Sequence, residues 1–163
     1  MSYLTQPNIA AMTVKVAAGY VSLYWGGAMI GRFIGSALLQ KIRTESLLAV
    51  CASVACLLVV TSLLSAGHLA MWSLLAVGLF NSIMFPSIFT LGLRGLGPLT
   101  GEGSGLLVAA IVGGAIVPEI QAIFADRIGI HHAFFVPAIC YVYILFFAIT
   151  CARAPGHVHP QTA

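Results

Sequence analysis

Apolar residues run along this chain in five long stretches, with charged or turn-forming residues between them. The stretches cover about residues 16–39, 46–66, 69–93, 103–125 and 133–151. Each approaches or exceeds the roughly 20 residues that a helix needs to cross the hydrocarbon core of a bilayer. None alternates apolar and polar positions with period two, so the pattern predicts helices rather than barrel strands. The expected fold class is therefore all-α and integral to the membrane, with about five transmembrane helices. Residues 1–15 read as an external N-terminal segment, 16–153 as one helix bundle and 154–163 as a cytoplasmic tail. The opening MSYLTQPN is too short and too polar for another span, and it lacks the basic start and brief apolar core of a signal peptide.

Charges between the stretches orient the bundle. Lys41 and Arg43 separate the first two stretches, Arg94 follows the third and Arg153 follows the fifth. Because successive spans alternate in direction, these four share one side. The other side receives Lys15, the uncharged Gly67-His68 pair and Asp126-Arg127. The excess of basic residues predicts that the first group is cytoplasmic. The N-terminus is then expected outside and the C-terminus inside, in a multi-pass membrane protein.

Composition sharpens the membrane reading. Of the 163 residues, 60% are hydrophobic and 7% charged, against about 25% charged in a typical soluble domain. The mean hydropathy is +1.04. Too few charges are present to clothe a soluble surface, which excludes a soluble enzyme or a nucleic-acid binder. The lipid bilayer is the expected solvent. Cys51, Cys56, Cys140 and Cys151 form no C-x-x-C pair and sit in or beside apolar runs, as small packing residues do.

A few residues inside the stretches carry possible chemistry. Gly27, Gly31 and Gly35 recur every four residues and so line one face of a helix, where they let a second helix approach closely. Arg32 lies in the same stretch; a charge there needs a gating or structural ion pair, or a route for its head to the interface. In the third stretch Asn81 precedes Pro86, whose missing N–H frees the carbonyl of Ser82. The Asn81 amide both donates and accepts, which suits a sugar hydroxyl or an interhelical hydrogen bond equally. The fourth stretch carries Gly113 and Gly114, expected as helix-packing residues, and the helix break Pro118, together a kinkable combination, followed by Glu119 and Gln121. Those last two point about 200° apart, so one cavity cannot receive both squarely. Glu119 reads as a structural or interfacial charge, with proton handling as the sharper alternative. Tyr24 and Trp25, like Tyr141 and Tyr143, offer surfaces for stacking on a sugar or anchoring at the interface, and Trp72 reads as an interfacial anchor.

Other motifs lead nowhere specific. The linker GLGPLTGEGSG lacks the Lys-Ser/Thr ending of a phosphate loop and reads as a turn opening the next helix. His131-His132 and the tail residues His157 and His159 have no Cys or carboxylate cluster beside them, so no metal site and no catalytic residue is expected.

Longer strings are more specific. GYVSLYWGGAMIGRFIGS resembles the eighth helix of the fucose–galactose–glucose:H⁺ symporter family of the major facilitator superfamily. FNSIMFPSIFTLGLRGLGPLTGEGSGLL, AIVGGAIVPEIQ and HAFFVPAICYVYILFF resemble its tenth, eleventh and twelfth helices. The resemblance runs from about Tyr3 to Arg153. It implies a fold of twelve helices in two halves, of which this chain carries helices eight to twelve. It also implies that the acidic residues of proton coupling lie in the N-terminal half, so that no residue here inherits their role.

The expected function is that of the C-terminal part of a sugar:proton symporter for fucose, galactose or glucose, not transporting alone. Asn81, Gln121, Tyr24 and Trp25 are its candidate sugar contacts. It needs no cofactor beyond the proton gradient that drives the assembled transporter. Expected partners are the missing N-terminal half or a second copy, a small sugar and no nucleic acid. The alternative is a small stand-alone membrane subunit or interaction protein without transport activity.

Overall fold

The computed structural model describes residues 14–65, 67–129 and 132–153. The segments 1–13 and 154–163, with His131, His157 and His159, lie outside the described residues. Six α-helices follow in chain order: α1 (Val14–Leu39), α2 (Thr44–Leu64), α3 (His68–Leu93), α4 (Thr100–Ala109), α5 (Gly113–Ile128) and α6 (Phe135–Arg153). Short 3-10 turns at Gly97–Leu99 and Ala110–Val112 join α4 and α5 into one span, and another at His132–Phe134 leads into α6. No strand occurs among the described residues.

Among the described residues, four segments are both long and apolar enough to cross a membrane: Thr44–Leu64, His68–Leu93, Gly97–Ile128 and His132–Arg153. Helix α1, with 26 residues, has the length as well. Its apolar character is diluted by Lys15, Arg32 and its glycines.

The helices form a layer with α2 and α3 at its centre. Helix α1 packs on α3, α3 on α2, and α2 on α6. Lipid tails are as apolar as leucine, so the layer is held by close packing more than by escape from water. Small side chains make that packing possible: Cys51, Ala52 and Ala55 of α2 are buried beside Leu48 and Val59. Met84 and Leu91 of α3 and Ala148 of α6 join the same cluster. Outward-facing Val50, Leu57 and Leu64 of α2 are exposed, as residues that meet acyl chains should be. All four cysteines are free thiols, with Cys51 buried in the cluster.

The connections are tight. Gly67 heads α3 at φ 70°, and Gly129 ends α5 at φ 91°, backbone that a side chain would strain. The linker after Arg94 departs from the turn read from its sequence. Gly97–Leu99 is already a 3-10 turn, and α4 starts at Thr100. Glycine costs a helix about 1 kcal/mol relative to alanine. Here Glu102 sits in the first turn, where a negative charge suits the helix dipole. The side chain of Leu96 also folds over Gly103, filling the space that a larger residue would need. Helix therefore begins before residue 103, and the span Gly97–Ile128 has 32 residues.

Candidate functional site

Two groups of residues stand out, one on the α1–α3 seam and one at an end of the bundle. On the seam, Gly31 lies against the backbone of α3: a methyl group built there would collide with the Leu79 carbonyl and meet Ser82 Oγ at 2.5 Å. Gly35 is covered by the side chain of Ile83. Around Gly27 the space is open to 4 Å. The third close approach comes instead from α3, where Gly78 would bring a methyl group within 2.7 Å of the Tyr24 ring. Tyr24 thus lies across α3 because position 78 has no side chain. It also meets Trp25 edge-on, with ring centroids 5.8 Å apart, and one turn earlier Tyr20 meets Trp72 at 6.2 Å. Trp25 itself is 65% exposed.

The remaining candidates spread over other faces. Asn81 is exposed on α3, on the same helical face as Phe85 and Phe89, whose rings are 6.1 Å apart. Pro86 lies inside α3 without ending it. Ser82 Oγ donates to the Leu79 carbonyl and Thr90 Oγ1 to the Pro86 carbonyl, two local bonds around the break. Ser87, next to the proline, is buried with its hydroxyl unpaired. On α5, Gln121 is half-buried and Glu119 exposed, as their spacing requires. Gly113 and Gly114 have no neighbour within 4 Å of a built methyl, so neither packs against another helix among the described residues. The structure therefore brings Tyr24 and Trp25 together and holds Asn81 and Gln121 on separate helices.

At the end of the bundle lies a cluster that the sequence reading missed. Glu45, in the first turn of α2, is 3% exposed. Arg43 donates to its Oε1 through Nε at 3.0 Å and Nη2 at 2.6 Å. Arg94, at the C-terminal end of α3, donates Nη2 to Oε2 at 3.2 Å. A buried carboxylate needs such partners, because leaving it unpaired costs far more than the net gain of the pair. Both ion pairs among the described residues belong to this cluster; Arg32, exposed on α1, and Glu119 are in neither. The cluster ties the start of α2 to the end of α3 and proves that Arg43 and Arg94 share one end of the bundle. Its signal in the sequence is one acidic residue, Glu45, beside the bases Lys41 and Arg43. Among the described residues no three His, Cys, Asp or Glu side chains converge as metal ligands would.

No family model matches the chain. Its fold does have a counterpart in a crystal structure of the major facilitator superfamily transporter FucP in the outward conformation. The TM-score is 0.87 at 34% identity, covering 92% of this chain and 37% of that one. That agreement defines the class: over the part it spans, this is a membrane protein with the major facilitator fold. Among curated sequences it is 54% identical over 154 residues to the glucose/galactose transporter of Brucella abortus biovar 1 (strain 9-941). It is 46% identical over 151 residues to the putative glucose/galactose transporter of Helicobacter pylori (strain J99 / ATCC 700824). It is 36% identical over 142 residues to the L-fucose-proton symporter of Escherichia coli (strain K12). These alignments cover 94%, 90% and 86% of this chain. The chain is thus similar to part of the glucose/galactose and L-fucose–proton transporters. It spans about 37% of the length of the first relatives it matches.

Proposed function

We propose that this chain supplies the C-terminal helices of a sugar:proton symporter of the fucose, galactose or glucose class, and that it transports only together with the portion that its relatives possess and it does not span. The observation that carries this reading is the match of 92% of the chain to 37% of a transporter at a TM-score of 0.87. Alternating access requires two bundles that rock against each other around a site near the midplane. The α1–α3–α2–α6 layer is one such body. In this reading its clustered end, with Arg43 and Arg94, faces the cytoplasm of a bacterial inner membrane, and residues 1–15 lie outside.

Asn81 and Gln121 are the proposed hydrogen-bonding contacts to sugar, and Tyr24 and Trp25 the proposed stacking surfaces. Their amide and ring chemistry supports that role. Arg32 and Glu119 are proposed to find partners across the interface between the two bundles. The proton gradient is the coupling force, and no cofactor is involved.

The test is gradient-driven uptake of labelled glucose, galactose and L-fucose into proteoliposomes. One set holds this chain alone and another holds it with the N-terminal portion of the Brucella abortus relative. Uptake is expected only in the pair, abolished by a protonophore and weakened by Asn81→Ala at unchanged protein abundance. Saturable, gradient-dependent uptake by the chain alone would overturn the proposal.

A further inference from the structure

The span Gly97–Ile128 differs from every other helix in how it is built at its centre. Helix α4 ends in the 3-10 turn Ala110–Val112, where the Gly113 N–H bonds back to the Ala110 carbonyl rather than a full turn away. Gly113 and Gly114 follow directly, and Pro118 removes the N–H that would otherwise bond the Gly114 carbonyl. A 3-10 turn, a glycine pair and a helix-interior proline thus fall within nine residues. Tightened 3-10 turns, glycines and prolines are the identifiable causes of helix bending.

The two arms are held by different neighbours. Helix α4 lies on α3, where the Leu107 side chain covers Gly92 and the Leu93 side chain reaches Gly103. Helix α5 is held at its far end, where Phe124 meets Phe135 edge-on with centroids 5.1 Å apart, next to the start of α6. Between these anchors the span stands off from α3. An open apolar groove of about 310 Å³ separates Phe85, Ile88 and Phe89 on α3 from Ala110, Ile111 and Gly114. The weakest stretch of the helix therefore lies beside open space, between an arm tied to α3 and an arm tied to α6.

We propose that Gly97–Ile128 is a jointed helix whose two arms reorient about residues 110–118, so that α4 follows α3 while α5 follows α6. Movement at the joint changes the width of the groove and leaves both anchors in place. This inference concerns the mechanics of the chain itself and does not depend on which solute is carried.

The test is a pair of spin-label distance measurements on the full chain in lipid nanodiscs, in a background with the four native cysteines replaced. One pair sits at Val108 and Ile123, on the exposed surface of the two arms. The reference pair sits at Val50 and Leu64, on the exposed surface of uninterrupted α2. Both pairs span about 20 Å at 1.5 Å per residue. The distribution for the jointed span is expected to be at least about twice as wide as the reference. The triple substitution Gly113→Ala, Gly114→Ala and Pro118→Ala is expected to narrow it to the reference width. Open space around both glycines allows these changes, and an unaltered distance between labels at Val50 of α2 and Val142 of α6 verifies that the layer still packs. A native span as narrow as α2, or a wide distribution that the triple substitution leaves unchanged, would refute the joint.

Discussion

Helix α2 and the span Gly97–Ile128 have similar apolar sequences and opposite surroundings. In the most apolar stretch of α2, 39% of the residues are buried within the chain; in that of Gly97–Ile128, none is. Helix α2 has neighbours on two sides, α3 and α6, and meets them with cysteine and alanine where backbones must approach. The other span touches α3 near its start and α6 near its end. Its half-buried positions, among them Leu107, Val117 and Gln121, form a shallow seam, and Leu106, Ile111, Val112 and Ile116 stand open. Hydropathy alone cannot separate the two, because lipid and a neighbouring helix reward the same side chains. What separates them is the placement of small residues against a partner that is present. In the reading proposed above, the portion found in the relatives supplies the partner for the open span.

That contrast is broken most severely on the α1–α3 seam. Gly31→Leu drives a side chain into the Leu79 carbonyl and is expected to cost about 3 kcal/mol, the upper range for overpacking. Unfolding in mixed detergent micelles, followed by tryptophan fluorescence, reads this directly, since Trp25 and Trp72 both lie beside the seam. Next in size is Leu48→Ala, which opens a cavity at the centre of the layer and is expected to cost about 2 kcal/mol or more. Leu106→Ala on the open span, measured in the same way, is expected to change stability by less than about 0.5 kcal/mol. Equal losses at positions 48 and 106 would erase the contrast.

Smaller effects come from charge and backbone. Arg94→Ala leaves Glu45 with Arg43 as its one ion-pair partner and is expected to cost about 1–2 kcal/mol. This lies below the full penalty for a buried pair, because Arg94 is half exposed. Arg32→Ala, outside that cluster, is expected to leave the stability of this chain within about 0.5 kcal/mol. Gly113→Ala is predicted to change stability in the opposite direction: open space and a gain in helix propensity make it stabilising, by up to about 1 kcal/mol. A loss as large as that at position 31 would mean that this glycine packs after all.

The fold was legible wherever one segment carried its own signal. The apolar runs marked the spans, and the strings around Gly31, Asn81 and Pro118 carried the family resemblance. Four-residue spacing pointed to a glycine face on α1, yet it could not say that Gly31 and Gly35 would meet α3 while Gly27 remained open. It also could not reveal Gly78, whose importance depends on a tyrosine from another helix. Glu45 was missed for the same reason: its burial depends on Arg94, 49 positions away. The start of α4 was obscured because glycine propensity argues for a turn, whereas Leu96 and Glu102 support a helix through contacts and charge. Of the candidate sugar contacts, the chemistry of each was readable and their mutual placement was not. Asn81 and Gln121 sit on helices whose relative position is set by packing rather than by spacing.

The central claim is that α2 belongs to a packed layer while Gly97–Ile128 lacks a full partner. Its most direct test is a nitroxide scan of both segments in lipid nanodiscs, reading collision with lipid-soluble oxygen at each position. Along α2 the accessibility should oscillate with a period near 3.6 residues and fall almost to zero at Leu48, Cys51, Ala55 and Val59. Along Gly97–Ile128 it should dip only partway at Leu107, Val117 and Gln121 and stay high at Leu106, Ile111 and Ile116. Minima as deep on this span as on α2 would contradict the account, because they would show a face already covered without the portion supplied by the relatives.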